Sequence, residues 1–278
     1  MSAATATATL PALRRARAFS SLGTLTGRRF QLTARTPREL FVPLLTPIMF
    51  ALVIAPALKS ALHTNASYES FVAIGTVGLL IPLNTMFSGL GVIVDRENGA
   101  QRELLAAPIP RSLLVLGNLV VAFAITGLQV AVLIAVATVR GINFDPTATG
   151  VLWFVAAAGL FAIGMYGIAE ILASRVPRQE EYIARVPAIA ILPWFLAGAL
   201  FPITALPTGL TWVAKFLPLT HGLALMRYGL LGDSTGLHNI WGGMGSTASA
   251  ALSLAVLAGF ALILTAGSIR VFTRAALR

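Results

Sequence analysis

The sequence predicts an all-α integral membrane protein with six transmembrane helices, and three observations carry that expectation. Hydrophobic residues make up 57% of the 278 and charged residues 11%, against roughly 25% charged in a soluble domain. A chain of mean hydropathy +0.84 lacks the polar groups to cover its own surface in water. Its apolar residues fall in uncharged runs of about 20 residues or more, the length that crosses a bilayer. Finally, the basic residues are shared unequally between alternate connections, which selects one orientation.

The runs are read in order. Leu40–Leu58 is the first span, Phe71–Val94 the second, Ser112–Val139 the third and Pro146–Ala169 the fourth; Val186–Ala205 is the fifth, and the last lies within Ala248–Ile269. Two span starts carry helix-start signals. Thr36-Pro37-Arg38-Glu39 reads as a capping box with proline at the first helical position, and Asp145-Pro146 places an aspartate at the N-cap. The chain thus divides into a tail with an amphipathic helix (1–36), a membrane domain (37–269) and a short C-terminal tail (270–278). Within the first part, Phe19, Leu22, Leu25 and Phe30 recur near helical spacing between Arg17, Arg28 and Arg29, which predicts a basic helix over Arg17–Ala34 on the membrane surface.

Charge sets the orientation. With both termini inside, sixteen of the twenty Lys and Arg residues lie on the cytoplasmic side, and only Lys59, Arg140, Lys215 and Arg227 lie outside. The segment after the fifth span holds two apolar pieces, Gly209–Leu217 and Leu219–Leu231, parted by Pro218. Each is too short to cross, so together they predict an outer re-entrant hairpin. Trp153, Trp212 and Trp241 fall near the same outer face, as an interfacial belt would place them. The net charge of +10 follows from membrane orientation and contact with anionic headgroups, with no need for nucleic acid.

Catalysis is excluded by inventory. With no cysteine, thiolate metal sites and disulfides are impossible, and His63, His221 and His238 show no metal-ligand spacing. They read as neutral interfacial residues. Neither Lys59 nor Lys215 follows a glycine, so no phosphate-binding Gly-Lys-Ser/Thr loop exists and the chain holds no cofactor of its own. Ionisable groups at mid-membrane are nearly absent, which weakens an ion-coupled mechanism. The polar residues left to line a path are Asn84, Gln129, Tyr166 and Glu170.

The most distinctive stretch is Asp95-Arg96-Glu97-Asn98-Gly99-Ala100-Gln101-Arg102-Glu103-Leu104-Leu105-Ala106-Ala107-Pro108-Ile109-Pro110-Arg111. Acids at its start and Pro108 at its end predict a short helix, Glu97–Ala106, lying across the inner mouth of two spans. It would offer Leu104 and Leu105 as an apolar anchor, with Glu97, Arg102 and Glu103 fixing orientation by charge.

Asp95–Arg111 resembles the coupling-helix segment of ATP-binding-cassette (ABC) type-2 permeases, where Arg-Glu, a glycine and Arg/Glu-Leu-Leu precede a proline and a basic residue. Pro193–Pro207, with Gly198, Phe201, Pro202 and Pro207, is similar to that family's Gly-x-x-Phe-Pro…Leu-Pro stretch. Pro218-Leu219-Thr220-His221 with Arg227 is similar to its Pro-Leu-Thr-Tyr…Arg stretch, departing from it at Leu217 and His221. The layout most resembles drug and antibiotic exporter permeases of the daunorubicin type. The resemblance implies two permease chains, as a homodimer or heterodimer, working with two copies of a separate ATPase subunit that binds ATP and Mg. It further implies outward movement of a small amphipathic compound across a bacterial cytoplasmic membrane. Under it, Glu97, Arg102, Glu103, Leu104 and Leu105 would contact the ATPase, and Gly198, Phe201, Pro202, Pro207 and Pro218 would form an outer gate. Export of a lipid-linked glycan and a non-transporting membrane scaffold are the alternatives.

Overall fold

A computed structural model describes residues 21–32, 66–106 and 110–275, with isolated positions between 45 and 60. The first expected span and its capping box therefore lie almost wholly outside the described residues. Within residues 17–34, a helix covers 21–32 (α1). Then come α2 (Ala66–Ser88), α3 (Leu90–Glu97), α4 (Ala100–Ala106), α5 (Arg111–Val139), α6 (Ala148–Arg175) and α7 (Gln179–Leu196). A 3-10 turn, Ile203–Ala205, precedes α8 (Thr208–Phe216), α9 (Pro218–Leu231), α10 (Thr235–Trp241) and α11 (Ser246–Ala275). Among the described residues there is no strand, so the chain is an all-α membrane protein.

Four helical stretches are long and apolar enough to cross a membrane: Tyr68–Glu97, Arg111–Val139, Ala148–Arg175 and Ser246–Arg274. They match the second, third, fourth and sixth expected spans. The fifth needs correction. Its helix, α7, starts at Gln179 and ends at Leu196 rather than running from Val186 to Ala205. Glu180 and Glu181 occupy its first turn, where the partial positive charge of a helix N-terminus favours acids. Residues after Leu196 turn away instead of extending the helix. The start of the fourth is corrected as well: Thr147, not Asp145, is the N-cap of α6, its hydroxyl accepting from the Gly150 N–H at 3.0 Å. Thr147 takes the extended backbone a cap requires, while the Asp145 N–H donates to the Leu230 carbonyl.

α6 is the hub. It packs along α11, crosses α9 and touches α2. Small residues allow this: Ala157, Gly159, Ala162, Gly164, Gly167, Ala169 and Ala173 are all buried along it. Without a hydrophobic force between helices in lipid, such close backbone approach is what stabilises association. One tight crossing joins Gly150 to Gly229, where a Cβ on either residue would collide with the other's carbonyl oxygen. Buried Thr76 and Thr85 satisfy their hydroxyls on the preceding turn of α2, at Val72 O (2.9 Å) and Ile81 O (2.8 Å).

The bundle has two distinct ends. One, the basic end, gathers α1, α3, α4, the start of α7 and the C-termini of α6 and α11. The other, the hairpin end, carries α8, α9 and α10. Two short helices, α8 and α9, stand where the re-entrant pair is expected, broken at Pro218, the first residue of α9. Orientation is testable directly because the chain has no native cysteine. A single cysteine at Ser67 should react with a membrane-impermeant maleimide only from outside, and one at Arg102 only from inside. The reverse pattern would invert the topology.

Candidate functional site

At the basic end, α3 and α4 form a corner. The expected single helix is two pieces: Asn98 closes α3, and Gly99, at φ +76°, turns the chain before α4 begins at Ala100. That left-handed backbone is one a side chain would strain. Arg102 N–H then bonds back to Gly99 O at 3.0 Å, starting the new helix.

Side chains around the corner tie it to separate elements. Arg96 donates to Ala173 O (3.0 Å), Val176 O (2.5 Å) and Pro177 O (3.2 Å), so its guanidinium caps the C-terminus of α6. A cation there meets both the orphan carbonyls and the negative end of the helix dipole. Arg111, at the start of α5, bonds Thr273 O near the end of α11 at 3.3 Å. Asp95 is gripped from α1 by Arg28 (3.3 Å) and Arg29 (3.5 Å). Gln179, at the start of α7, donates to the Glu97 carboxylate at 2.5 Å. The basic face expected of α1 is therefore turned partly inward, onto the corner.

Of the five residues expected to contact a partner, Arg102 and Glu103 are exposed. Leu104 and Leu105 are half-buried and pack on the chain's own core. Leu104 shares a small cleft with Leu25, Leu114 and Phe272. Glu97, exposed, is held by Gln179.

The four path residues do not form one cluster. Tyr166 and Glu170, one turn apart on α6, are fully buried, and the tyrosine hydroxyl donates to the carboxylate at 2.8 Å. The other Glu170 oxygen has no hydrogen-bond partner among the described residues, and Arg29 acts on this carboxylate through its charge. Nearby, Tyr182 donates to Met86 O at 2.6 Å and fixes α7 on α2. Asn84 on α2 and Gln129 on α5 make no hydrogen bond to this pair, and each has a buried amide atom without a partner among the described residues.

At the hairpin end the expected gate residues lie at successive turns and helix starts between α7 and α9. Gly198, at φ +80°, turns the chain after α7. Pro202 leads into the 3-10 turn, Pro207 caps α8, Pro218 opens α9, and Phe201 is partly exposed between them. Thr211 pins the turn by donating to Ile203 O and Leu206 O, both at 3.1 Å. Sequence reasoning missed what holds this region. Arg227, counted as an outer charge, is 5% exposed. Its Nη2 donates to Ala199 O (3.1 Å) and Phe71 O (3.3 Å), and its guanidinium lies 3.4 Å over the Phe71 ring. Trp194 donates to Gly75 O at 2.7 Å and Tyr68 to Leu200 O at 3.1 Å, binding the same loop to α2. His221 is buried rather than interfacial. Its Nε2–H donates to Lys215 O at 3.0 Å, which leaves Nδ1 to accept from Ser253, whose oxygen in turn accepts from Trp241. The lone signal in the sequence was the Pro-Leu-Thr…Arg spacing.

A membrane-embedded bundle with a broken corner at one end and a paired hairpin at the other is matched by one family description, ABC-2 type transporter, over residues 20–231. The chain belongs to that family. Similar proteins include a putative transport permease ycf38 of Porphyra purpurea, 25% identical over 187 residues, which are 67% of this chain and 64% of that one. The linearmycin resistance permease protein LnrN of Bacillus subtilis is 29% identical over 143 residues, half of this chain and 36% of LnrN. ABC transporter G family member 20 of Dictyostelium discoideum is 25% identical over 183 residues, covering 64% and 24% respectively. This ABC-2 chain thus spans just under two thirds of the first of these relatives and a smaller share of the other two.

Proposed function

We propose that this permease exports an amphipathic compound across a bacterial cytoplasmic membrane, driven by ATP hydrolysed on a separate subunit docked at the α3–α4 corner. The basic end faces the cytoplasm, in keeping with the positive-inside rule. Two permease chains enclose the path and two ATPase subunits, carrying ATP and Mg, act on it. The family match supports the division of labour, and the name of the Bacillus subtilis relative, a linearmycin resistance permease, favours a drug or antibiotic as cargo.

The observation that carries the reading is the wiring of the corner. α4 is short and partly exposed, and the adjoining residues Asp95, Arg96 and Arg111 bond to α1, α6 and α11. A push on α4 therefore reaches several elements at once. Under this reading Arg102 and Glu103 meet the ATPase through charge-assisted bonds, and Leu104 and Leu105 serve mainly to seat α4 on the bundle.

Exchanging the two charges, Arg102→Glu with Glu103→Arg, tests it. Both side chains are exposed, so insertion should be normal. Recovery of the ATPase subunit from mild detergent should fall about tenfold, most strongly at low salt, as expected for misplaced interfacial charges. A variant that retains its ATPase and exports normally would remove α4 from the contact and leave the scaffold reading in place.

A further inference from the structure

One opening in the bundle is unassigned by anything above. α7 packs on α2 but has no substantial packing against α6 or α11. Between them lies a half-open slot of about 240 Å³. Met165 and Ile168 of α6, Ile189 and Pro193 of α7 and Phe260 of α11 form its walls, with Pro82 of α2 behind. Its roof is the Leu217–Pro218 break of the hairpin.

Depth identifies what can fill it. Pro82, Phe161 and Phe260 all border the slot, and each stands near the middle of its membrane-spanning stretch. The slot therefore sits at the centre of the bilayer, where water is absent and hydrocarbon is the solvent. Every lining side chain is apolar. Size narrows the occupant further. The slot exceeds the roughly 150 Å³ apolar cavity that holds a benzene ring. It falls short of the roughly 300–1,000 Å³ that encloses a whole drug-sized ligand.

We infer that this slot binds one hydrocarbon segment of an amphiphile, through its lining of Met165, Ile168, Ile189, Pro193 and Phe260, and leaves the polar head outside the slot. The segment comes from a membrane lipid's acyl chain or from the alkyl part of a transported compound. The placement of the slot rests on the membrane-spanning fold alone. Its role as a cargo subsite rests on the export reading above.

The test uses the full chain in lipid nanodiscs, without ATPase, so that it succeeds or fails apart from that reading. One arm carries a phosphatidylcholine with a diazirine at the end of one acyl chain. The other carries an alkyltrimethylammonium with the same terminal diazirine. After illumination, peptides are mapped for label. In at least one arm, label should concentrate on peptides holding Met165, Ile168 and Phe260, above that on exposed Leu128 of α5. Ile189→Trp, which fills the slot, should lower it about tenfold, as for the exclusion of about two methylene groups. Phe260→Ala, which widens the slot, should raise it. Label from the phosphatidylcholine alone makes the occupant a resident lipid. Label from the ammonium compound, with displacement by unlabelled compound, makes it cargo. Label spread evenly over lipid-facing positions, or unchanged in both variants, overturns the inference.

Discussion

Arg227→Met should leave the permease inserted but unable to hold its hairpin end together. The guanidinium is buried, has no carboxylate ion-pair partner among the described residues, and is held by Ala199 O, Phe71 O and the face of Phe71, with Nε making no hydrogen bond to the described residues. Hydrogen bonds from a charged group contribute about 1.5–3 kcal/mol each, and a desolvated cation–π contact about 2 kcal/mol. Against them stands the desolvation of a buried charge, which methionine would relieve. Methionine also takes a donor from Ala199 O and Phe71 O in an apolar setting. The net loss should therefore be about 3 kcal/mol, enough to lower the unfolding temperature in detergent by several degrees and to expose a cysteine placed at buried Ile203. Arg227→Lys should recover only part, because an ammonium lacks the planar fork that spans two acceptors and stacks on a ring. Wild-type stability and a still-protected cysteine at Ile203 in Arg227→Met would show that the hairpin end is held by other contacts.

Arg96→Gln should separate ATP hydrolysis from transport. Its three bonds to Ala173, Val176 and Pro177 carbonyls join the corner to the end of α6, and glutamine cannot reach all three. Arg102 and Glu103, on the neighbouring helix, are untouched. The expected result is an ATPase that still binds and still hydrolyses, with substrate movement per ATP reduced about tenfold, the loss of roughly one charged hydrogen bond's coupling free energy. A variant with unaltered transport per ATP would place the coupling route elsewhere, through Arg111 or α1.

How much of this was legible follows from which forces are local. α5 begins at Arg111 and ends at Val139, one residue from its expected start and at its expected end, because Pro110 and the Arg140-Gly141 turn punctuate it in the sequence itself. The hairpin break was readable from Pro218 for the same reason. α7 was not. Its charged first turns and two internal prolines look like a loop followed by a short span, and only packing of Tyr182 and Val186 against neighbouring helices makes one helix from Gln179 onward. The choice of Thr147 over Asp145 as cap turned on a backbone bond from Asp145 to distant Leu230, which no local pattern encodes. Arg227 shows the same limit at the site. A lone arginine in an outer segment reads as a solvated charge until tertiary contacts supply its carbonyls and its ring. The leucine pair of α4 was visible as an apolar pair, but which side of the helix it would seat against was not.

The Gly150–Gly229 contact has a mechanical meaning. Backbone touching backbone leaves no side chain to bend or repack, so this end of α6 and the hairpin helix α9 cannot slide past each other without a gap opening. The opposite end of α6 is held just as firmly by Arg96. α6 is 28 residues long, about 42 Å at 1.5 Å each, and the two grips lie near its ends. Under the export reading, the fourth span would then act as a push-rod, carrying a tilt imposed at the basic end to the hairpin helix α9 at the other.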